Sequence, residues 1–213
     1  FSDAFTNEIG VGHTVRFLKN ICGLWLIQES KRCWRLKGEE VPYGKMASLA
    51  AEAEPFRSLI DPDDPRFIEA GEMPEKIQSF CRDTGQPVPE SKGQIIRCIY
   101  ESLALRYATV WEKLIRYTDH PPRTLHIVGG GCQDKLLNQF AANAIGIEVA
   151  ACPVEATGLG NILAQMLADG EIADLSEGRR IVLASSLVET YRPEDSELWT
   201  RAKETFETIH HSH

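Results

Sequence analysis

The sequence predicts an α/β fold, and three observations carry that prediction. A short β-branched apolar run, Leu125 to Val128, ends in three glycines and passes into helical spacing. A second run, Ile147 to Ala151, is again followed by helical spacing, from about Ala156 to Ala168. Ahead of both lies a stretch of helical patterns. Strands alternating with helices behind a helical first half indicate α/β.

Taken in order, the first helix is expected from about His13 to Arg32, with Val15, Leu18, Ile21, Cys22, Trp25 and Leu26 as an apolar stripe at 3/4 spacing. Asn20 and Gln28 flank that stripe. On one helix they would stand roughly 12 Å apart along the axis and about 80° around it. That separation suits two carboxamides on different parts of one nucleotide, or simply two polar residues at the edge of an amphipathic helix. Pro42 opens a short helix through about Glu52. Asp61-Pro-Asp-Asp-Pro65 reads as a solvated turn, because each proline turns its predecessor away from α. An EF-hand is excluded there, since neither its glycine nor its terminal glutamate is present.

A helix from Pro74 to Thr84 is ended by Gly85, and Gln86-Pro-Val-Pro89 leads to the longest helix, Glu90 to about Tyr117. Ile95, Ile99, Leu103, Tyr107, Val110, Trp111 and Leu114 form its core stripe. The two helices should make an antiparallel hairpin in which Cys81 and Cys98 could meet, as a disulfide or as thiols. Pro121-Pro122 ends this pattern. Gly158 and Gly160 each cost the helix near Ala156 roughly 1 kcal/mol relative to alanine, which suits close packing on a sheet or approach to a ligand. Glu155 reads as a carboxylate favoured by the helix dipole. Helices near Ser176–Leu187 and Asp195–Thr208 complete the chain.

The most informative segment is Leu125-His-Ile-Val-Gly-Gly-Gly-Cys-Gln-Asp-Lys-Leu-Leu-Asn-Gln139. Gly129, Gly130 and Gly131 let backbone approach a flat or charged ligand closely and permit φ > 0. The helix behind them, Gln133 to Ala144, offers N–H groups and a positive dipole end, so a nucleotide would sit here. From this segment alone, a tight strand–helix connection packed on a neighbour remains open. A dinucleotide fingerprint is excluded because Asp134 stands at its third glycine and the next strand ends in Cys-Pro, and a P-loop because no Gly-Lys-Ser/Thr exists.

At 213 residues and 43% hydrophobic, the chain can bury a core of its own. A net charge of −8 argues against nucleic acid and anionic membrane as partners. No apolar run approaches the roughly 18 residues of a membrane span. The six cysteines show no Cys-x-x-Cys and no Cys/His cluster. No metal site is therefore expected, and reduced thiols in a cytoplasmic protein are the default. His210, His211 and His213 form a histidine-rich tail, 210–213, excluded from the functional reading of 1–209.

Five segments together resemble the C-terminal part of the FGGY family of carbohydrate kinases: Leu18-Lys-Asn-Ile-Cys-Gly-Leu-Trp-Leu-Ile-Gln28, Pro87-Val-Pro-Glu-Ser91, Ser102-Leu-Ala-Leu105, His126-Ile-Val-Gly-Gly-Gly-Cys-Gln133, and Pro153-Val-Glu-Ala156 with Leu159-Gly-Asn161. The glycine turn is shared across that family, whereas its flanks point to the branch that phosphorylates L-rhamnulose. The resemblance implies an actin-like, ribonuclease H-like ATPase domain, the second of two around an ATP cleft, lacking its opening strands. It implies ATP and Mg²⁺ as cofactors, and phosphate transfer to a ketose to give L-rhamnulose 1-phosphate. An N-terminal kinase domain would be the partner, with the sugar and the general-base carboxylate lying mainly there, upstream of Phe1. It also implies nucleotide contacts at Asn20 and Gln28 and at Gly129, Gly130 and Gly131, with no catalytic residue in this chain. Other readings are a kinase for fuculose, xylulose or glycerol, a non-catalytic actin-like nucleotide-binding module, and an NAD-linked α/β enzyme, the last disfavoured by Asp134.

Overall fold

The computed structural model describes residues 4–210. The chain opens on an antiparallel hairpin, β1 (Thr6–Ile9) and β2 (Val15–Leu18), with Thr6 opposite Leu18. Helices α1 (Trp25–Leu36), α2 (Tyr43–Ala51), α3 (Met73–Asp83) and α4 (Lys92–Ile115) follow. Then come β3 (Thr124–Ile127), α5 (Lys135–Ile145), β4 (Glu148–Ala151), α6 (Ala156–Ala168), α7 (Leu175–Ser185), β5 (Glu189–Tyr191) and α8 (Ser196–His210). β4 pairs in parallel with β3 and antiparallel with β5, which makes a second sheet in the order β3-β4-β5. The α/β expectation holds.

The centre of the molecule is α4. Ser91 and Gln94 start it with a reciprocal capping box: the Gln94 amide donates to Ser91 Oγ at 3.1 Å, and the Ser91 amide donates to Gln94 Oε1 at 3.1 Å. Ile95, Ile96, Ile99, Leu103, Ala104 and Leu105 are fully or almost fully buried, so the helix is apolar around much of its circumference. The other helices gather around it: α2 and α5 pack along it, α8 brings Trp199 and Phe206 into the same core, and α1 joins through Leu26 and Trp34. A smaller cluster of Ala141, Ala142 and Val149 joins α5 to the β3-β4-β5 sheet.

The expected helix from His13 to Arg32 is corrected. Its first half is β2, because Val15-Arg-Phe-Leu18 is better satisfied by the ladder with β1 than by helical spacing. A turn with Gly12 at φ 68 and His13 at φ 60 joins the two strands, and the helix begins only at Trp25. The apparent 3/4 stripe drew residues from two elements and a connector. The hairpin is largely exposed, with Ile9 at 92%. Phe17 packs on Phe5 at 4.6 Å between ring centroids and on Tyr117 at 5.2 Å, just past the end of α4.

The Asp61–Pro65 turn is not merely solvated. Asp64 caps a 3₁₀ turn by accepting from the Arg66 amide at 2.9 Å, and Asp63 is half-buried in an ion pair with Arg106. Cys81 and Cys98 do meet across the α3–α4 hairpin. They are free buried thiols with hydrogen-bonded side chains, and the neighbouring Cys81 together with burial raises the Cys98 pKa. Gly158 and Gly160 face open space, so neither serves close packing. That role falls to Gly178 of α7, where an added Cβ would stand 3.1 Å from Leu163 of α6. Of the histidine-rich tail, 211–213 lies outside the described residues.

Candidate functional site

The glycine turn is built into the β3-β4-β5 sheet. The Cys152 amide donates to the Ile127 carbonyl, and the Gly129 amide to the Pro153 carbonyl, each at 2.9 Å, so the parallel pairing continues past both strand ends. Gly129 has φ 79 and ψ −168, a conformation essentially restricted to glycine. Gly130 to Gln133 then form a 3₁₀ turn rather than the first turn of α5. Added Cβ atoms at Gly129 or Gly130 would meet no protein atom within 4 Å, so the face of the turn at these two residues is open.

Asp134 occupies the start of α5. Its Oδ1 accepts from the Leu137 amide at 3.1 Å, and its Oδ2 accepts from the buried Tyr100 hydroxyl of α4. Burial and then the Asp134 charge raise the Tyr100 pKa, which keeps the phenol a donor. The helix end read from the sequence as an anion site therefore already faces the protein's own carboxylate. The open backbone of the 3₁₀ turn is the part left for a ligand. Asn138 supports that turn from beneath, donating Nδ2 to the Cys132 carbonyl at 2.8 Å.

The opposite wall is the start of α1. An added Cβ at Gly131 would lie 3.8 Å from Leu24 Cδ1, so the glycine turn and the N-terminus of α1 are neighbours. Gln28 is one turn along, with its amide bonded to the Leu24 carbonyl at 2.9 Å, and it is exposed. Asn20 is also exposed but lies in the irregular connector between β2 and α1. The helical separation expected between Asn20 and Gln28 therefore does not apply. Asn20 borders a groove of about 300 Å³ lined also by Ile21, Cys22, Pro62, Asp63, Phe67 and Ile68. The structure thus brings the start of α1 to the glycine turn, whereas Asn20 faces the groove.

Sequence reasoning missed Asp63, Tyr100, Arg106 and Asn138 as supports of this region. The Asp134 cap carried a signal, an Asp three residues before Leu137 at a helix start, but had been used only as a departure from a glycine pattern. Among the described residues, no three His, Cys, Asp or Glu side chains are grouped as metal ligands. The open glycine backbone beside the start of α1 leaves room for a ligand to approach it closely.

Comparison with known proteins assigns the chain to a family. The profile of the FGGY family of carbohydrate kinases, C-terminal domain, matches residues 1–168. A rhamnulokinase of Bacteroides thetaiotaomicron is 50% identical over 198 residues, which covers 93% of this chain and 40% of that protein. The Enterococcus faecalis rhamnulokinase is 43% identical over 205 residues, covering 94% of this chain and 41% of that protein. The chain thus spans about 40% of the length of these curated relatives. Among solved structures, a ligand-bound xylulose kinase of Lactobacillus acidophilus superposes with a TM-score of 0.68 at 15% identity, covering 99% of this chain and 42% of that one. A Plasmodium falciparum glycerol kinase with ADP gives 0.66 at 14% identity, covering 97% of this chain and 42% of that one. Those likenesses show a shared fold, and the profile and the relatives show kinship: the chain belongs to the FGGY family of carbohydrate kinases, as a C-terminal domain.

Proposed function

We propose that this chain is the nucleotide-binding half of an ATP-dependent sugar kinase that phosphorylates L-rhamnulose at its terminal hydroxyl, giving L-rhamnulose 1-phosphate and ADP. The observation that carries the nucleotide assignment is the open face of Gly129 and Gly130 beside the start of α1. The substrate assignment is supported by curated rhamnulokinases at 50% and 43% identity. Phosphoryl transfer asks the protein for positioning, for charge neutralisation and for a carboxylate to accept the hydroxyl proton.

This chain supplies positioning. The backbone of Gly129, Gly130 and Gly131 approaches the adenosine part, and Gln28 reaches it from α1. Mg²⁺ comes with the ATP phosphates and neutralises their charge. The general base and most of the sugar pocket belong to an N-terminal kinase domain, the natural partner of 1–209. A soluble, cytoplasmic enzyme fits the free thiols and the absence, among the described residues, of a helix able to cross a membrane.

The test is ADP release by the full-length protein with ATP, Mg²⁺ and a panel of L-rhamnulose, L-fuculose, D-xylulose and glycerol. The highest kcat/KM is expected with L-rhamnulose. A preference for another member of the panel would reassign the substrate within the family. Tight binding of NAD instead of adenine nucleotide, with no sugar-dependent turnover, would remove the kinase reading.

A further inference from the structure

The connector between β2 and α1, 19–24, forms no helix or strand and contains Gly23, where an added Cβ would meet nothing within 4 Å. Such a segment has many conformations available unless something removes them. Two long-range bonds do so. The Cys22 amide donates to Asp63 Oδ1 at 2.7 Å, and the Trp25 indole Nε1 donates to the Phe67 carbonyl at 3.0 Å. Asp63 is in turn held by α4, whose Arg106 donates Nε to Asp63 Oδ2 at 2.7 Å and brings a second guanidinium nitrogen to 2.6 Å.

Arg106 is 7% exposed, and a buried guanidinium requires a well-placed anion. Both Asp63 oxygens are therefore committed inside the protein, although Asp63 borders the groove that Asn20 lines. It acts on what lies in front of it only through the backbone it holds. That backbone leads directly to Leu24, the residue that meets Gly131, and to Gln28 beyond it.

We propose that Asp63 is a positioning residue for nucleotide binding: it transmits the fixed position of Arg106 on α4 to the Cys22 amide and so sets the wall formed by Leu24 and Gln28 against the glycine turn. This rests on the reading of that turn as the nucleotide site. The charge-assisted bonds on both sides are the strong kind, and losing an amide's charged partner leaves the connector free to move.

The experiment is steady-state kinetics on the full-length protein with ATP and L-rhamnulose. Asp63→Ala is expected to raise the ATP KM about tenfold, with the sugar KM unchanged and kcat within about twofold. Asp63→Asn keeps an acceptor for the Cys22 amide and is expected to give a smaller rise, about threefold by the same scale. It also decides the matter if the alanine variant fails to fold. A lower kcat with both KM values unchanged would mean fewer folded molecules, and would overturn the proposal. Gln28→Ala separates the two layers of argument. If it raises the ATP KM while both Asp63 variants leave it unchanged, the positioning role fails and the site stands. If all three leave it unchanged, the site fails too.

Discussion

At the scale of single residues, neighbouring glycines do different work. Gly129 is required by its own backbone: at φ 79 and ψ −168, any side chain is strained whatever the space around it. Gly130 is not at positive φ, so the sequence-based suggestion of such a need there moves one residue back. What Gly130 offers is room, since a Cβ there meets no protein atom within 4 Å. Gly130→Val in the full-length protein is therefore expected to fold with an unchanged melting temperature and to raise the ATP KM by at least about tenfold, since a branched side chain displaces a ligand from the backbone. Calorimetry and ATP titration check the two halves separately, and unchanged affinity would take the glycine turn out of the site. Gly129→Ala, by contrast, should lower stability by about 1–3 kcal/mol before any ligand is added.

At the scale of elements, α4 organises the irregular segment 56–63 through side chains rather than through a strand partner. Glu101 accepts from the Phe56 amide at 2.8 Å and from Arg97 Nε at 2.7 Å, Ser102 accepts from the Ile60 amide at 2.9 Å, and Arg106 holds Asp63. Burial pushes the Glu101 pKa up to about 7, against the opposing pull of Arg97. Because the folded value exceeds the ordinary carboxylate value of 4.5, the folded state favours the proton, and stability falls as pH rises from about 4.5 to about 7. Glu101→Gln should remove that slope. Urea unfolding of the two proteins across this window should differ by up to about 3 kcal/mol more at its top than at its bottom, and parallel curves would show that Glu101 ionises normally. α4 was legible from its long apolar stripe, and α2, α3 and α6 from the prolines and glycines that bound them. α2, α3, α4 and α6 begin and end within a few residues of their sequence-based bounds. Short exposed strands carried no such stripe: β5 has three residues, and the half-exposed β2 shares its apolar residues with a plausible helical pattern. The glycine turn was legible from composition alone. Asp63, in contrast, is informative only through Arg106 and Cys22, which are distant in sequence, so nothing local marked it.

At the scale of the whole molecule, the proposed function gives the chain one wall of a cleft. The chain has no grouped metal ligands among the described residues, and no carboxylate is assigned as general base. The 213-residue chain alone is therefore expected to release no sugar-dependent ADP from ATP, Mg²⁺ and L-rhamnulose, because loss of a general base alone commonly costs about 10²- to 10⁴-fold. Turnover near one per second would place a complete active site within these residues. One detail of the glycine turn reaches further. Its Gly129 amide and the Cys152 amide are bonded across to the neighbouring strand, so the turn is a continuation of the sheet and not a loop hung from it. The Gly129 amide cannot be freed without unzipping β3 from β4, so it should exchange with deuterium as slowly as the amides of the sheet. A nucleotide binding there, as proposed, would find the Gly129 backbone already ordered and lose little affinity to freezing it. Under the proposed function, this edge of the nucleotide site would move with the sheet as one solid block.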